Sequence, residues 1–165
     1  MSAVFFIADT HFGHRNICKY RPQFASPQEH DEHIIKQWNG VIKKAHHQVW
    51  VLGDMCIKNK LYDFDSIISR LKGTIHVITG NHCYLPAYSK IHVANGILKK
   101  YGFWLSHYPI HPQELRGKKN IHGHIHGIEN LLKDDRYINV NCEFINYTPI
   151  SLEQIRANNC TKEPK

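Results

Sequence analysis

The chain begins with an unbroken apolar run, Val4-Phe5-Phe6-Ile7-Ala8, that stops at Asp9. A run this short and this apolar reads as a strand covered on both faces. Similar runs predict strands at 3–9, 48–53 and 74–79, the first leading into a loop that continues to about Pro22. Between them the period changes to that of a helix. Ser26-Pro27-Gln28-Glu29 offers a cap, a first-turn proline and an acidic residue to complete a capping box. Ile34, Ile35, Trp38, Val41 and Ile42 then recur at helical spacing. A second helix is expected over about 63–71, with Phe64, Ile67, Ile68 and Leu71 turned inward.

From residue 91 the helical period is lost. Val93-Ala94-Asn95-Gly96-Ile97-Leu98 predicts a hairpin centred on Asn95-Gly96. Strands follow at 102–106, 119–123 and 136–143, and a closing helix starts at Ser151, with Gln154 three residues on. The polar stretch 158–165 reads as a tail, which leaves 1–157 as a single domain. A β-α-β-α-β first half before a β-rich second half suits an α/β (α+β) fold, two sheets packed together with helices outside.

Composition changes this picture at two points. The chain holds 14 histidines with no contiguous run, an excess that favours a metal enzyme because imidazole is the commonest metal ligand. The net charge of +7 is spread over pairs such as Lys43-Lys44 and Lys118-Lys119, which suits a solvated surface or attraction of phosphate-bearing substrates. No dense basic arm or nucleic-acid module is visible. The five cysteines are irregularly spaced and include no C-x-x-C pair, so neither a disulfide framework nor a thiolate zinc site is expected. With no signal peptide and no apolar run near the ~20 residues of a bilayer span, the expected location is cytoplasmic, without membrane contact.

The chemistry sits where strands stop. Asp9-Thr10-His11, Gly53-Asp54, Gly80-Asn81-His82, His107 and Gly123-His124-Ile125-His126 each follow a predicted strand. Strand ends project side chains from one edge of a sheet, where α/β proteins place their ligands. Asp, His and Asn without thiolates suit Mn²⁺, Fe²⁺, Zn²⁺, Ni²⁺ or Co²⁺.

The ordered set D-x-H, G-D, G-N-H, a lone His and G-H-x-H resembles the calcineurin-like metallophosphoesterase superfamily. The strings from Ala8 to Ile17 and from Ser106 to Ile110 look like its small bacterial and phage branch. The resemblance implies a metallo-dependent phosphatase fold, a four-layer α/β/β/α sandwich of two mixed sheets. It implies two divalent metal ions, Mn²⁺ first among them. Asp9, His11, Asp54 and His126 would hold one; Asp54, Asn81, His107 and His124 the other, with Asp54 bridging. Seven ligands for two ions leave coordination positions open for substrate. His82 would not bind metal but would protonate the leaving oxygen, work that suits an imidazole near neutral pH. Where the family usually continues G-N-H-D, this chain has Cys83, which cannot hold an imidazolium as a carboxylate does. The intervals between ligand segments are largely used up by their own secondary structure, so no cap domain is expected.

The implied activity is phosphoester hydrolysis by in-line attack of a hydroxide bridging two metals, with a phosphodiesterase as the first reading. A phosphomonoesterase or nucleotide phosphatase, and a non-catalytic scaffold on the same fold, are the alternatives. The expected substrate is a phosphate ester, small and nucleotide-like or a nucleic-acid end, with no obligate protein partner. His14 and Arg15, just past two ligands, are candidates to touch substrate, as is Asn81. His122 alternates with His124 and His126 but reads as a core or supporting histidine. His46-His47 reads as helix-end polarity, and Trp38, Trp50 and Trp104 read as core.

Overall fold

The computed structural model describes residues 2–57, 63–83, 91–94, 96–126 and 134–160. It contains the two mixed sheets with helices expected of an α/β fold. In the first sheet β1 (Val4–Ile7), β2 (Gln48–Leu52), β3 (Thr74–Ile78) and β4 (Ile91–Ala94) run parallel. The short β9 (Ile150–Ser151) adds antiparallel to the free edge of β1, giving the order β4-β3-β2-β1-β9. The second sheet has the order β5 (Leu98–Lys100), β6 (Phe103–Leu105), β7 (Asn120–His122), β8 (Tyr137–Asn139). There β5 is antiparallel to β6, and the remaining pairs are parallel.

The apolar run of β1 is unbroken because its two faces serve two cores. Phe5 and Ile7, with Val49, Val51, Ile75 and Val77, pack against Ile34, Ile35 and Trp38 of α2 (Pro27–Val41) and Ile67 and Ile68 of α3 (Phe64–Arg70). Phe6 and Ala8, with Trp50, Leu52 and Ile78, face Leu105, Ile121 and Val140 of the second sheet and Ile155 of α4 (Leu152–Cys160). Each large side chain buried in this way contributes about 1.5–3 kcal/mol.

The helix starts follow their sequence signals. Ser26 Oγ accepts from Glu29 N at 3.1 Å, while the Glu29 carboxylate accepts from Ala25 N at 2.8 Å, one residue further back than an ideal box. Asp63 caps α3 through Ser66 N. Ser151 and Gln154 exchange both bonds of a capping box, at 3.1 and 2.9 Å.

Three expectations need correcting. The strands flanking Asn95-Gly96 are not a hairpin: β4 pairs with β3 in the first sheet, and β5 with β6 in the second. Asn95 itself lies outside the described residues. The stretch before Pro22, read as loop, contains a short helix α1 (Ile17–Tyr20). The last helix runs to Cys160, so 158–160 are helical rather than tail, and 161–165 lie outside the described residues. Among the described residues no helix is long and apolar enough to cross a membrane.

Backbone bonds tie the two sheets together at Ala8, just before the site. Ala8 N donates to Val140 O at 2.9 Å, and Cys142 N donates to Ala8 O at 3.1 Å. The residue after this junction is Asp9.

Candidate metal centre

Parallel pairing of β1 and β2 carries on past the strands. Asp9 N donates to Gly53 O, His11 N to Asp54 O and Phe12 N to Met55 O, so the D-x-H and G-D loops run zipped together. Thr10 Oγ1 adds a bond to Met55 O at 2.8 Å. The zipper holds an unusual backbone. Asp9, His11 and Asp54 have φ of 57°, 49° and 47°, and His124 has 69°. A left-handed residue other than glycine costs of order 1–3 kcal/mol, Asp and His being among the better tolerated. Four ligand candidates in that region show backbone strain concentrated where side chains must converge.

The motif glycines are explained by close approach. A Cβ on Gly53 would lie 2.0 Å from His107 Nδ1, one on Gly80 2.2 Å from Asp54 Oδ1, and one on Gly123 2.3 Å from Asp9 Oδ2. Each glycine leaves room for a ligand candidate from another segment.

Asp9 and Asp54 are almost wholly buried, and two groups of ligand atoms converge around them: Asp9, His11 and His126, and Asp9, Asp54 and His107. In this geometry Asp9 is common to both groups, whereas the family pattern assigns the bridge to Asp54. Asp54 Oδ1 accepts from His82 N at 2.8 Å, and its Oδ2 lies 3.7 Å from His107 Nε2. Asn81 joins the second group through Oδ1, 2.8 Å from His107 Nε2. His124 is fixed by its backbone N, which donates to Asp9 Oδ2 at 2.8 Å, and its ring packs on His107 and Tyr108.

The donor set fits a cation on three counts. Asp9 Oδ1 is buried without a hydrogen bond, with His126 Nε2 at 3.3 Å and His11 Nε2 at 3.8 Å. His11 Nε2 and His126 Nε2 point at one another across 3.3 Å. His107 Nδ1 donates to Leu52 O at 2.9 Å, so a neutral His107 turns the lone pair of Nε2 toward the oxygen of Asn81. With Asn81 turned this way, two acceptors stand 2.8 Å apart, an arrangement that a cation beside them would satisfy.

Protonation agrees. Burial, then the Arg21 guanidinium and neighbouring histidines, push His11 down to about 2, which leaves it neutral as a ligand must be. His126 goes the other way: burial opposes its charge, but the Asp9 and Glu143 carboxylates beside it overcome this and raise it to about 9. The two carboxylates that favour a proton there would favour a divalent cation in its place. His124 and His14 are lowered, mainly by burial.

His82 is exposed, its ring 6.5 Å from that of His11, and it is in neither ligand group. His14 sits beside the centre, 6.2 Å from His11 ring to ring, with a buried Nδ1 that has no partner. Arg15 is exposed. His122 is buried on β7, Nδ1 2.8 Å from Gly123 O, and is in neither ligand group. Trp38 and Trp50 are core, whereas Trp104 is half-buried with Lys99 over its ring.

Cys83 has a structural task that the sequence did not disclose. Its Sγ accepts from Gly80 N and from Asp54 N, both at 3.1 Å, and so ties the G-N-H loop to the G-D loop. Cys83→Ala strands both amides and is expected to cost about 1–3 kcal/mol, read as a lowered Tm by calorimetry. An unchanged Tm would show that the sulfur bonds contribute nothing.

Two further residues escaped sequence reasoning. Glu143, on the 3-10 turn Cys142–Ile145, has Oε1 3.2 Å from His126 Nδ1. Burial would raise its carboxyl, but His126 and Arg21 hold it down at about 2. Arg21 lies almost fully buried beneath the D-x-H loop. No spacing signals either one, since an Arg before Pro22 ordinarily reads as solvated loop.

Convergent imidazoles and carboxylates at the carboxyl ends of parallel strands from two sheets define a metallohydrolase-type centre. The chain belongs to the calcineurin-like phosphoesterase family, whose sequence profile matches residues 3–162. The family supports a metal-dependent phosphoester hydrolase. An uncharacterised protein of Methanocaldococcus jannaschii is 36% identical over 166 residues, covering 94% of this chain and 90% of that one. The gene 66 protein of Mycobacterium phage L5 is 33% identical over 85 residues, covering 50% of this chain and 40% of its own length. A crystal structure of a protein of unknown function from Aquifex aeolicus superposes with a TM-score of 0.74 at 26% identity, covering 96% of this chain and all of that one.

Proposed function

We propose that this protein is a dinuclear phosphodiesterase, with Mn²⁺ as the working metal and His82 as general acid. The observation that carries the reading is the pair of ligand groups sharing a buried carboxylate, Asp9/His11/His126 and Asp9/Asp54/His107. Asn81 and His124 stand beside the second group and complete the family's ligand set. Two divalent ions held there supply water activation near neutral pH and neutralise charge on a phosphoryl oxygen.

The chain's own residues do the rest. Asp54 anchors the backbone of His82, which leaves the exposed imidazole free to give its proton to a departing oxygen. Asn81 and His82 are both exposed, so the mouth of the site can admit a phosphorus bearing two substituents. His14, beside His11, is the neighbouring group best placed to meet a substrate oxygen. The net charge of +7 favours approach of an anionic ester, small and nucleotide-like or a nucleic-acid end.

Turnover of bis(p-nitrophenyl) phosphate and p-nitrophenyl phosphate, compared under added Mn²⁺, tests this. The diester is expected to turn over faster. Preference for the monoester moves the protein to the phosphatase reading, and Mn²⁺ binding without turnover of either moves it to a scaffold.

A further inference from the structure

Arg21 is the most deeply buried cation among the described residues, 1% exposed, and its guanidinium binds the backbone of the D-x-H segment and the side chains behind it. Nε donates to Glu143 Oε1 at 2.7 Å, Nη2 to Asp9 O at 2.7 Å and Nη1 to Thr10 O at 3.4 Å. Nη1 also lies 2.7 Å from His30 Nε2. A guanidinium can only donate, so His30 Nε2 accepts, and its Nδ1 then donates to Asp31 Oδ1 at 2.7 Å. Asp31 Oδ2 in turn accepts from Gly13 N at 3.1 Å, on the same ligand loop. Arg21 thus grips the carbonyls of two successive residues of the strained D-x-H segment, and its counter-charge is Glu143.

Glu143 faces the centre with the same oxygen that Arg21 holds. Its Oε1 stands 3.2 Å from His126 Nδ1, and a carboxylate can only accept. Asn141 Nδ2 stands 3.1 Å from the same nitrogen and, as a donor, favours the opposite tautomer. The charge-assisted bond is roughly twice as strong as a neutral one, so the carboxylate decides. In the neutral ring that a metal requires, Nδ1 then carries the proton, and Nε2 offers its lone pair to the space shared with Asp9 and His11.

We propose that Glu143, aimed by Arg21, is a positioning residue that fixes the metal-binding tautomer of His126, while Arg21 holds the Asp9–His11 loop in its ligating shape. The inference rests on the reading of this centre as a divalent-cation site. An imidazole whose outer nitrogen is held by a carboxylate binds metal more tightly, and loss of such a partner lowers affinity by about 10–100-fold.

Calorimetric titration of chelator-treated protein with Mn²⁺ tests this. Glu143→Gln keeps the size of the side chain and removes the charge, and is expected to weaken one Mn²⁺ step by about 10–100-fold. Affinity within twofold of the parent protein overturns the inference. If the variant fails to fold, histidine ¹⁵N spectra of the Mg²⁺- or Zn²⁺-loaded parent decide instead. They should show His126 protonated at Nδ1, and a proton on Nε2 overturns the proposal. The parent separates the two ideas: no divalent-ion binding by the unmutated chain removes the metal centre itself, whereas intact binding with an indifferent Glu143→Gln removes only the positioning role.

Discussion

Asp54→Asn is expected to abolish phosphoester hydrolysis and to deplete the centre of metal while leaving the fold in place. Asp54 is buried, with one oxygen engaged by His82 N and the other near His107 Nε2. An amide of the same shape cannot satisfy both. Turned one way, its NH₂ meets the His82 N–H, donor against donor; turned the other, it replaces the anionic oxygen beside His107. There is no room to move aside, since Gly80 already lies so close that a Cβ would sit 2.2 Å from Oδ1. Elemental analysis of the purified variant checks the result, with circular dichroism to show that it is folded. Two ions per chain, retained after dialysis, would sink the assignment of Asp54 as a metal ligand.

His82→Ala should separate chemistry from metal binding. The side chain is exposed and in neither ligand group, and its backbone N–H bond to Asp54 survives the substitution. Metal content should therefore be unchanged. With substrates that have poor leaving groups kcat is expected to fall by roughly 10²–10⁴, the range for loss of a general acid. Nitrophenolate leaves as a stable anion, so activated aryl esters should lose much less. Loss of metal would make His82 a ligand. An equal loss on both substrate types would point to charge stabilisation in place of proton donation, and no loss would favour the scaffold reading.

What the sequence disclosed was local. The cap at Ser26, the inward stripe of α2 and the doubly buried run of β1 follow from spacing, and they appear in the structure as read. The ligand candidates were legible because each sits at the end of its own strand. Pairing over long range was not. Asn95-Gly96 carries a local hairpin signal, yet β4 gains a parallel ladder of four residue pairs with β3, and its successor joins the other sheet. Arg21 and Glu143 are separated by 122 residues and meet only after both sheets have docked. Cys83 shows the limit from another side. Its position in the motif suggested a weakened partner for His82, whereas its sulfur serves the amides of two loops.

The junction at Ala8 has a bearing on how the molecule comes into being. During synthesis the segment carrying Asp9 and His11 emerges first, whereas its hydrogen-bonding partners Val140 and Cys142, together with the backbone N of His124 that fixes Asp9, come more than a hundred residues later. At ribosomal rates of about 5–20 residues per second that is a delay of roughly 6–27 seconds. A product truncated before Val140 keeps D-x-H, G-D, G-N-H and G-H-x-H yet lacks both backbone bonds that tie Ala8, the residue before Asp9, to Val140 and Cys142. The order of synthesis thus leaves the tying-down of Ala8, next to Asp9, to a segment made more than a hundred residues after it.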